Sequence, residues 1–255
     1  MRNLFDLKDK IAVITGASSG IGAQLAKTFA DQGAAVAILA RRYEKLENLS
    51  KEIEASGGTV LPVKCDVTKE EDVIEAVNII INKFGKIDIL INNAGVASIG
   101  SVETIEEAEW DRVMDANVKG TFLMSKHVVK HMKERNYGKI VNVASICGLV
   151  GSKNAPLHAY NASKGAVINL TRGMGTSLIQ YGITVNGVGP SLFKTEMTEN
   201  TLYQEDYLKM YNTVCPAGRP GNTDELDGAV IYFASDASSY TTGQTLFVDG
   251  GWTSV

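Results

Sequence analysis

A tyrosine and a lysine one helical turn apart, with a serine fifteen positions earlier, are the residues of this chain best suited to proton transfer. Tyr160 and Lys164 are four residues apart, and Ser145 ends an apolar run. Residues i and i+4 share one face of a helix, so the ammonium group of Lys164 would stand near the phenol. A phenol titrates near about pH 10, and a nearby positive charge favours its phenolate form. The spacing predicts that Tyr160 exchanges a proton while Ser145 hydrogen-bonds the oxygen of a carbonyl substrate.

A glycine-rich turn near the start of the chain predicts a nucleotide site. Residues 15–22 read Thr-Gly-Ala-Ser-Ser-Gly-Ile-Gly between an apolar run and a helical pattern. The first glycine permits a tight turn, the second lets the backbone approach a pyrophosphate, and the third lets helix and strand pack closely. The helix N–H groups would then point at the anion. The expected cofactor contacts in this turn are Gly16, Ser18, Ser19, Gly20, Ile21 and Gly22.

Short apolar runs alternate with segments of helical periodicity and must position these groups. The strand candidates are residues 11–15, 35–40, 59–64, 87–92, 139–144, 184–188 and 245–248. The runs are apolar throughout, which is typical of parallel strands covered by helices on both faces. Capping patterns predict helix starts at Thr68 and Thr104, and Gly33 and Gly57 mark helix ends. We therefore predict an α/β fold with a doubly wound parallel sheet.

Composition limits the alternatives. A chain of 255 residues with 44% hydrophobic content fits one α/β domain spanning residues 1–255, and the irregular stretch at 191–220 is a candidate substrate lid. The net charge of −4, without a basic run, favours neither nucleic acid nor a membrane surface as a partner. No apolar stretch is long enough to span a bilayer. Three cysteines without metal-ligand spacing predict a cytoplasmic protein with no metal site.

These motifs, taken in chain order, resemble those of the short-chain dehydrogenase/reductase family. The resemblance is carried by residues 15–22, Asn92-Asn93-Ala94-Gly95, Asn117, Ser145, the Tyr160/Lys164 pair and the closing Val248-Asp249-Gly250-Gly251. It implies a single Rossmann-like domain with seven parallel strands. It also implies a homotetramer that moves hydride between a nicotinamide cofactor and a carbonyl or secondary alcohol.

The resemblance also implies roles for individual residues. Tyr160 would be the general acid/base, and Ser145 would anchor the carbonyl oxygen, so both bind the substrate. Lys164 would lower the pKa of the tyrosine and bind a ribose, and Asn117 would hold a proton-relay water. Residues 92–95 would line the adenosine ribose. The cofactor contacts implied by position are Asp66, Val67, Asn93, Ala94, Gly95, Tyr160, Lys164, Val188 and Thr195.

The end of the second strand indicates which cofactor is used. An acidic residue there would bind the adenosine ribose hydroxyls and favour NAD, but this chain has Ala40-Arg41-Arg42. A guanidinium group can pair with a phosphate, so NADP(H) is predicted to be preferred, with NAD(H) possible. Arg41 is the first choice of ligand, followed by Arg42. Family members that use NADP often carry a basic residue just before the second glycine of the turn, where this chain has Ser19.

The substrate is less well defined. The opening residues 3–7 and the second half of the chain resemble the gluconate 5-dehydrogenase-like branch, which acts on sugar acids and polyols. The alternatives within the same class are 3-oxoacyl-carrier-protein reductases and hydroxysteroid dehydrogenases. A sensor that binds nucleotide without catalysis, and a metal-dependent alcohol dehydrogenase, are the alternatives outside it. The segment after the sixth strand has Ser191 where the family commonly has glycine, so the resemblance does not predict the geometry of the lid.

Overall fold

A sheet of seven parallel strands forms the centre of the computed structural model, which describes residues 3–151, 155–199 and 204–255. The order across the sheet is β3-β2-β1-β4-β5-β6-β7. The strands are β1 (Ile11–Thr15), β2 (Ala35–Ala40), β3 (Thr59–Lys64), β4 (Ile89–Asn92), β5 (Gly138–Val143), β6 (Ile183–Pro190) and β7 (Thr245–Val248). The predicted doubly wound α/β fold is confirmed.

Helices cover both faces of the sheet. They are α1 (Gly20–Asp31), α2 (Tyr43–Ala55), α3 (Glu70–Phe84), α4 (Glu107–Met114), α5 (Gly120–Glu134), α6 (His158–Leu178), α7 (Glu196–Glu199), α8 (Glu205–Val214) and α9 (Asp227–Ala234). Gly33 and Gly57 follow α1 and α2 with left-handed φ angles of 86° and 85°, as predicted for helix ends. No helix among the described residues is long and apolar enough to cross a membrane.

The two predicted helix starts are wrong by one and two residues, respectively. Lys69 is the N-cap of α3, and Glu106 is the N-cap of α4. The Thr68 hydroxyl donates instead to the Asp66 carboxylate at 2.8 Å, and the Thr104 hydroxyl oxygen accepts the Ser101 N–H at 3.0 Å. Both threonines therefore stabilise the turn before the helix, since a hydroxyl can serve either purpose.

Alternate residues of each central strand point into two separate apolar layers. Ala12 and Ile14 of β1 pack in one layer with Phe29 of α1, whereas Ile11 and Val13 pack in the other layer with residues of α3 and α5. Because both faces are covered, every strand position needs an apolar side chain. This explains the continuous apolar runs of the sequence.

The chain reverses its direction of travel across the sheet at β1, which pairs with β2 on one side and β4 on the other. Ligands of doubly wound sheets bind at the carboxyl ends of the strands near such a switch point. β6 continues two residues beyond its predicted end, to Pro190. It therefore delivers the following loop directly to this edge.

The continuous helical stretch from Glu107 to Glu134 contains a π-helical turn. α4 and α5 are joined by the π segment Asp115–Lys119 without a break, and Asn117 lies in its middle. π segments are rare and often occur at functional sites.

Candidate active site

One elongated cleft of about 410 Å³ lies over the carboxyl ends of the central strands. The arginines after β2 lie at one end, and the serine, tyrosine and lysine of the proton-transfer group lie at the other. The sequence-predicted residues that line the cleft are Gly16, Ser18, Ser19, Gly20, Ile21, Arg41, Arg42, Asp66, Val67, Asn93, Ala94, Gly95, Ser145, Tyr160, Lys164 and Thr195. Gly22, Asn117 and Val188 do not line it.

The glycine turn has the geometry expected of an anion site. Gly16 and Gly20 have φ angles of 66° and 57°, a region that side chains disfavour. A Cβ atom on Gly22 would lie 2.4 Å from the Asn93 amide nitrogen, so only glycine fits where α1 meets the strand ends. Ser19 is the N-cap of α1 but makes no side-chain cap bond. The first amides of α1 are therefore available to an anion in the cleft.

A threonine hydroxyl joins the two turns that form the floor of the cleft. Thr15 Oγ1 accepts hydrogen bonds from the backbone N–H groups of Asn93 and Ala94, each at 3.0 Å. The Asn93 amide donates back to the Thr15 carbonyl oxygen at 2.9 Å. Asn93 thus contributes to the floor through its position, while its side chain holds the backbone.

Asn92 lies behind this floor, although the resemblance assigned residues 92–95 together to the ribose. Its side chain is buried and donates to Ser125 Oγ at 3.1 Å and to Asn142 Oδ1 at 2.9 Å. It is the last residue of β4, and the alternation of a strand turns its side chain away from Asn93. Asn92 therefore ties α5 to the sheet.

The Arg42 guanidinium group occupies the end of the cleft beside the glycine turn. It donates to Ser18 Oγ at 3.0 Å and to Ser19 Oγ at 2.9 Å. It also forms a bidentate pair with the Glu196 carboxylate at 2.8 and 2.9 Å. The basic group that the turn lacks at Ser19 is thus supplied by Arg42. Arg41, the first choice from sequence, is exposed and lines the same end.

The contact between Arg42 and Glu196 was not predicted from the sequence. Lys45 Nζ lies 2.8 Å from the Glu196 carboxylate, opposite Arg42. Hydrogen bonds from Arg42, Lys45 and Ser19 hold the pKa of Glu196 far below its usual value. The glutamate stands at the start of α7, 154 positions after Arg42. No local pattern could indicate a contact across that separation.

Asp66 and Val67 form the wall of the cleft after β3. Asp66 Oδ1 accepts hydrogen bonds from the N–H and hydroxyl groups of Thr68 at 3.1 and 2.8 Å. A Cβ atom on Gly120 would lie 2.7 Å from a Val67 methyl group, so Val67 packs directly on the start of α5. Asp66 is therefore a turn-forming residue that also faces the cleft.

Val188 does not reach the cleft, in contrast to its predicted role at the nicotinamide carboxamide. It is fully buried in β6, where its carbonyl oxygen accepts the Ala144 N–H at 2.8 Å. β6 extends past it to Pro190, so position 188 is inside the sheet. Phe193 lines the cleft beside Thr195 instead.

Ser145, Tyr160 and Lys164 converge at the opposite end of the cleft. Ser145 follows β5 and caps a 3₁₀ turn, where its hydroxyl oxygen accepts the Cys147 N–H at 3.1 Å. Tyr160 and Lys164 lie in the first two turns of α6. Lys164 is buried, and its Nζ atom donates to the Val143 carbonyl oxygen at 2.7 Å and lies 5.7 Å from the centre of the Tyr160 ring.

The electrostatics of this end differ from the prediction. Burial raises the pKa of Tyr160 above its ordinary value, the neighbouring Cys147 thiol group raises it further, and a hydrogen bond with Ser145 opposes the rise. Burial lowers the pKa of Lys164 to about 8. The expected lowering of the tyrosine pKa by Lys164 is therefore absent in the protein alone, because desolvation outweighs the effect of a cation held on Val143.

Asn117 supports the site from behind. Its Oδ1 atom accepts the Val96 N–H at 2.7 Å, and its Nδ2 atom donates to the Val96 carbonyl oxygen and to Ser163 Oγ, both at 2.9 Å. The π turn thus fixes the loop after β4 to the helix that carries Tyr160 and Lys164. Ser163, which the sequence did not single out, completes this link.

The segment over the cleft is anchored by aromatic residues. Tyr211 of α8 hydrogen-bonds with Ser191, at the position where the family commonly has glycine, and stacks on Trp252 with ring centres 4.8 Å apart. Residues 200–203 of the candidate lid lie outside the described residues. The tyrosines of α8 therefore hold the lid on the body of the protein.

The cleft fits a dinucleotide. It runs continuously from a guanidinium group past open helix amides to a buried ammonium group, so it offers cationic or N–H donors along its length. Among the described residues, no group of three or more His, Cys, Asp and Glu side chains could hold a metal ion. A phenol and a serine hydroxyl at the far end can exchange a proton with an alcohol or ketone. Fold and site together define a dinucleotide-dependent oxidoreductase.

Comparison with known proteins identifies the family. A family model described as enoyl-(acyl carrier protein) reductase matches residues 16–253. A short-chain type dehydrogenase/reductase from Mycobacterium marinum has 38% sequence identity and a TM-score of 0.94, covering 98% of each chain. This chain therefore belongs to the short-chain dehydrogenase/reductase family.

Two further relatives are similar over nearly the whole length. Gluconate 5-dehydrogenase of Gluconobacter oxydans (strain 621H) is 41% identical over 251 residues, covering 98% of this chain and 97% of the relative. A gluconate 5-dehydrogenase from Burkholderia cenocepacia J2315, solved in complex with NADP and tartrate, is 37% identical with a TM-score of 0.95, covering 99% and 98% of the two chains. The family and branch resemblance found in the sequence is confirmed.

Proposed function

We propose that this protein is an NADP(H)-dependent oxidoreductase that interconverts a ketone and a secondary alcohol on a sugar acid or polyol. The observation that carries the proposal is the single cleft with Arg42 at one end and the Ser145, Tyr160 and Lys164 side chains at the other. One bound dinucleotide could reach both ends. Similarity to gluconate 5-dehydrogenases supports the substrate class.

The reaction follows from the chemistry of these side chains. Tyr160 donates a proton to the substrate oxygen in reduction and accepts it in oxidation. The Ser145 hydroxyl hydrogen-bonds the same oxygen and stabilises the charge that develops on it. A bound nicotinamide cofactor supplies or accepts the hydride. Lys164 binds a ribose and adds positive charge, and Asn117 holds the loop and helix on either side of the site, with a proton-relay water as its proposed partner.

The remaining cofactor contacts follow the cleft. The α1 amides and the residues of the glycine turn bind the pyrophosphate, and Asp66 and Val67 flank the adenine. Asn93, Ala94 and Gly95 form the floor below the ribose, and Thr195 and Phe193 face the nicotinamide from the lid side. Arg42, with Ser18 and Ser19, binds the phosphate on the adenosine ribose. Arg41 assists at the exposed edge.

Replacing Arg42 with alanine should weaken NADPH binding by about tenfold or more and leave NADH binding within about twofold. The guanidinium group is bonded to both turn serines, so its loss removes the main positive charge beside the phosphate. Fluorescence titration with each reduced cofactor measures both effects. Lys51→Ala, an exposed basic residue farther along α2, is the matched control and should change neither. Equal losses for the two cofactors would contradict the assignment.

The substrate class is tested by turnover with NADPH across three groups of ketones: 5-ketogluconate, acetoacetyl thioesters and ketosteroids. We expect preferential turnover of the sugar acid, with the reverse oxidation of gluconate by NADP. Faster turnover of the thioester would overturn the substrate class while leaving the reaction type intact. Tight cofactor binding without turnover of any ketone would instead favour a nucleotide-binding sensor.

Reduction of a 3-oxoacyl thioester is the second candidate function. The 3-oxoacyl-acyl-carrier-protein reductase of Thermotoga maritima is 38% identical over 245 residues, covering 96% of this chain and 98% of that protein. The same tyrosine and serine would perform this reduction without change. The substrate series above separates the two functions.

The proposal also covers the domain organisation, the oligomeric state and the cellular location of the protein. Residues 1–255 form one domain, with residues 191–220 as its substrate lid. A homotetramer is supported by apolar side chains exposed on α4, α5 and near β7: Trp110, Phe122, Tyr240 and Leu246. A cytoplasmic location is supported by the three unpaired cysteines.

A further inference from the structure

We propose that Glu196 competes with the ribose phosphate of NADP(H) for Arg42 and thereby couples cofactor identity to the position of the lid. The inference rests on the proposed function, in that Arg42 is taken as the phosphate ligand. Without phosphate, the glutamate holds the start of the lid on the adenosine end of the cleft. A phosphate at Arg42 must displace it.

Glu196 already occupies an environment that would suit a phosphate group. Both terminal nitrogens of Arg42 donate to its two carboxylate oxygens, at 2.8 and 2.9 Å, and Lys45 Nζ lies 2.8 Å from one of them. A hydrogen bond from Ser19 adds a neutral donor. An arginine fork, an ammonium group and a hydroxyl are donors that also suit a phosphate. The carboxylate therefore stands where an anionic group is stabilised.

These donors cannot serve both anions at once. Both oxygens of Glu196 occupy the edge formed by the two terminal nitrogens of Arg42, while the Nε atom donates to Ser18 Oγ at 3.3 Å. A phosphate monoester carries about −1.5 to −2 charges at neutral pH, against −1 for a carboxylate. The phosphate should therefore displace the carboxylate from the Arg42 guanidinium group, which requires the Arg42–Glu196 pair to break. The cofactor without this phosphate meets no such competition.

The carboxylate also replaces a group that the second strand lacks. In doubly wound dinucleotide-binding proteins, an acidic residue near that strand end accepts hydrogen bonds from the ribose hydroxyls. Here the strand ends in Ala40 and two arginines, while Glu196 brings a carboxylate to Arg42 from the lid. A cofactor with a free ribose can thus be bound with Glu196 in place.

The lid is mechanically linked to this pair. Glu196 begins α7, whose Thr198 and Glu199 N–H groups bond to the Thr195 carbonyl oxygen at 3.0 and 2.9 Å. Thr195 lies directly over the phosphate turn, since a Cβ atom on Gly20 would be 3.1 Å from the Thr195 Cβ atom. Release of Glu196 therefore frees the segment that packs on both the turn and the cleft.

The test compares Glu196→Gln with Glu199→Gln. Glutamine keeps the size of Glu196 and removes its charge, so NADPH should bind about threefold to tenfold more tightly, whereas NADH should bind no more tightly than it does to wild type. Glu199 belongs to the same helix but pairs with Lys194, outside the arginine cluster, so its variant should bind both cofactors as wild type does. Both affinities are read by fluorescence titration.

A second readout needs no cofactor. Amide hydrogen exchange in the segment at residues 195–199 should be about threefold to tenfold faster in Glu196→Gln than in wild type, and unchanged in Glu199→Gln. An unchanged NADPH affinity in Glu196→Gln, or unchanged exchange in this segment, would overturn the inference. Failure of the proposed function would appear separately, as wild-type protein that turns over none of the ketones.

Discussion

A Tyr160→Phe variant should lose turnover by about a hundredfold to ten-thousandfold while binding NADPH nearly as tightly as wild type. The substitution removes only the phenol oxygen, so the ring still packs beside Lys164, whose Nζ atom lies 5.7 Å from the ring centre. Ser145 can still hydrogen-bond the substrate oxygen, but an aliphatic hydroxyl is much less acidic than a phenol and does not replace Tyr160 as the proton donor. Steady-state turnover and fluorescence titration of the same preparation measure the two effects.

A second tyrosine provides the control. Tyr207 of α8 is half-buried and belongs to the lid, so Tyr207→Phe tests the loss of a lid phenol oxygen other than that of the assigned proton donor. Its turnover should remain within about threefold of wild type. Substantial turnover by Tyr160→Phe would mean that another group donates the proton. Equal losses in both variants would point to a general disturbance of the lid.

A Lys164→Met variant should lose turnover and NADPH affinity together. At neutral pH it should also lack the destabilisation of the folded state that the buried charge of Lys164 causes. The ammonium group is buried, and desolvation lowers its pKa from 10.5 to about 8. Methionine matches the length of the side chain without a charge. The same substitution thus removes a proposed cofactor ligand and a costly buried cation.

The sign of the pH dependence follows from these two pKa values. Between pH 8 and 10.5 the unfolded chain holds the Lys164 proton more tightly than the folded protein, so folding releases a proton and wild-type stability rises with pH. The free-energy cost of burying the charged Lys164 applies in full below about pH 8 and is absent above about pH 10.5. The change in the pKa of Lys164 corresponds to about 3 kcal/mol. The variant gains less than this at pH 7, because the Val143 carbonyl oxygen loses its donor.

Urea unfolding of the cofactor-free proteins at pH 7 and pH 10 checks this expectation. The free energy of unfolding of Lys164→Met relative to wild type should be lower at pH 10 than at pH 7. Wild type loses its buried charge as Lys164 deprotonates and becomes more stable, whereas the variant has no such charge to lose. Other titrating groups are common to both proteins and cancel in the difference. Lys51→Met, at an exposed lysine of α2, should show no such change. A relative stability independent of pH would contradict the buried cation.

The sheet was predictable because each strand must be apolar on both faces. β1, β2, β3 and β7 coincide with the predicted runs, and the remaining strands differ by one or two residues at an end. β6 is longer than predicted because Gly189 and Pro190 continue it, although neither residue favours a strand by itself. This extension places Val188 inside the sheet and Phe193 at the cleft.

The catalytic group was predictable from type and spacing, but its electrostatics were not. The i, i+4 rule brings Tyr160 and Lys164 to one face, whereas their pKa values depend on burial, which spacing does not contain. Similarly, the Arg42–Glu196 pair joins positions 154 residues apart through the path of the lid. Such a contact depends on tertiary packing alone.

The π turn at Asp115–Lys119 behaves as a one-residue insertion that the surrounding helix has absorbed. Each residue of an α-helix turns the chain by about 100°, so a regular helix here would rotate everything after the turn by that amount. Leu123 and Val128 of α5 would then leave the apolar layer that they fill. The chain between Glu107 and Glu134 therefore holds one residue more than a regular helix with the same facing would need, so a one-residue deletion inside the π turn should leave Leu123 and Val128 in their layer, whereas a deletion elsewhere in α5 should not.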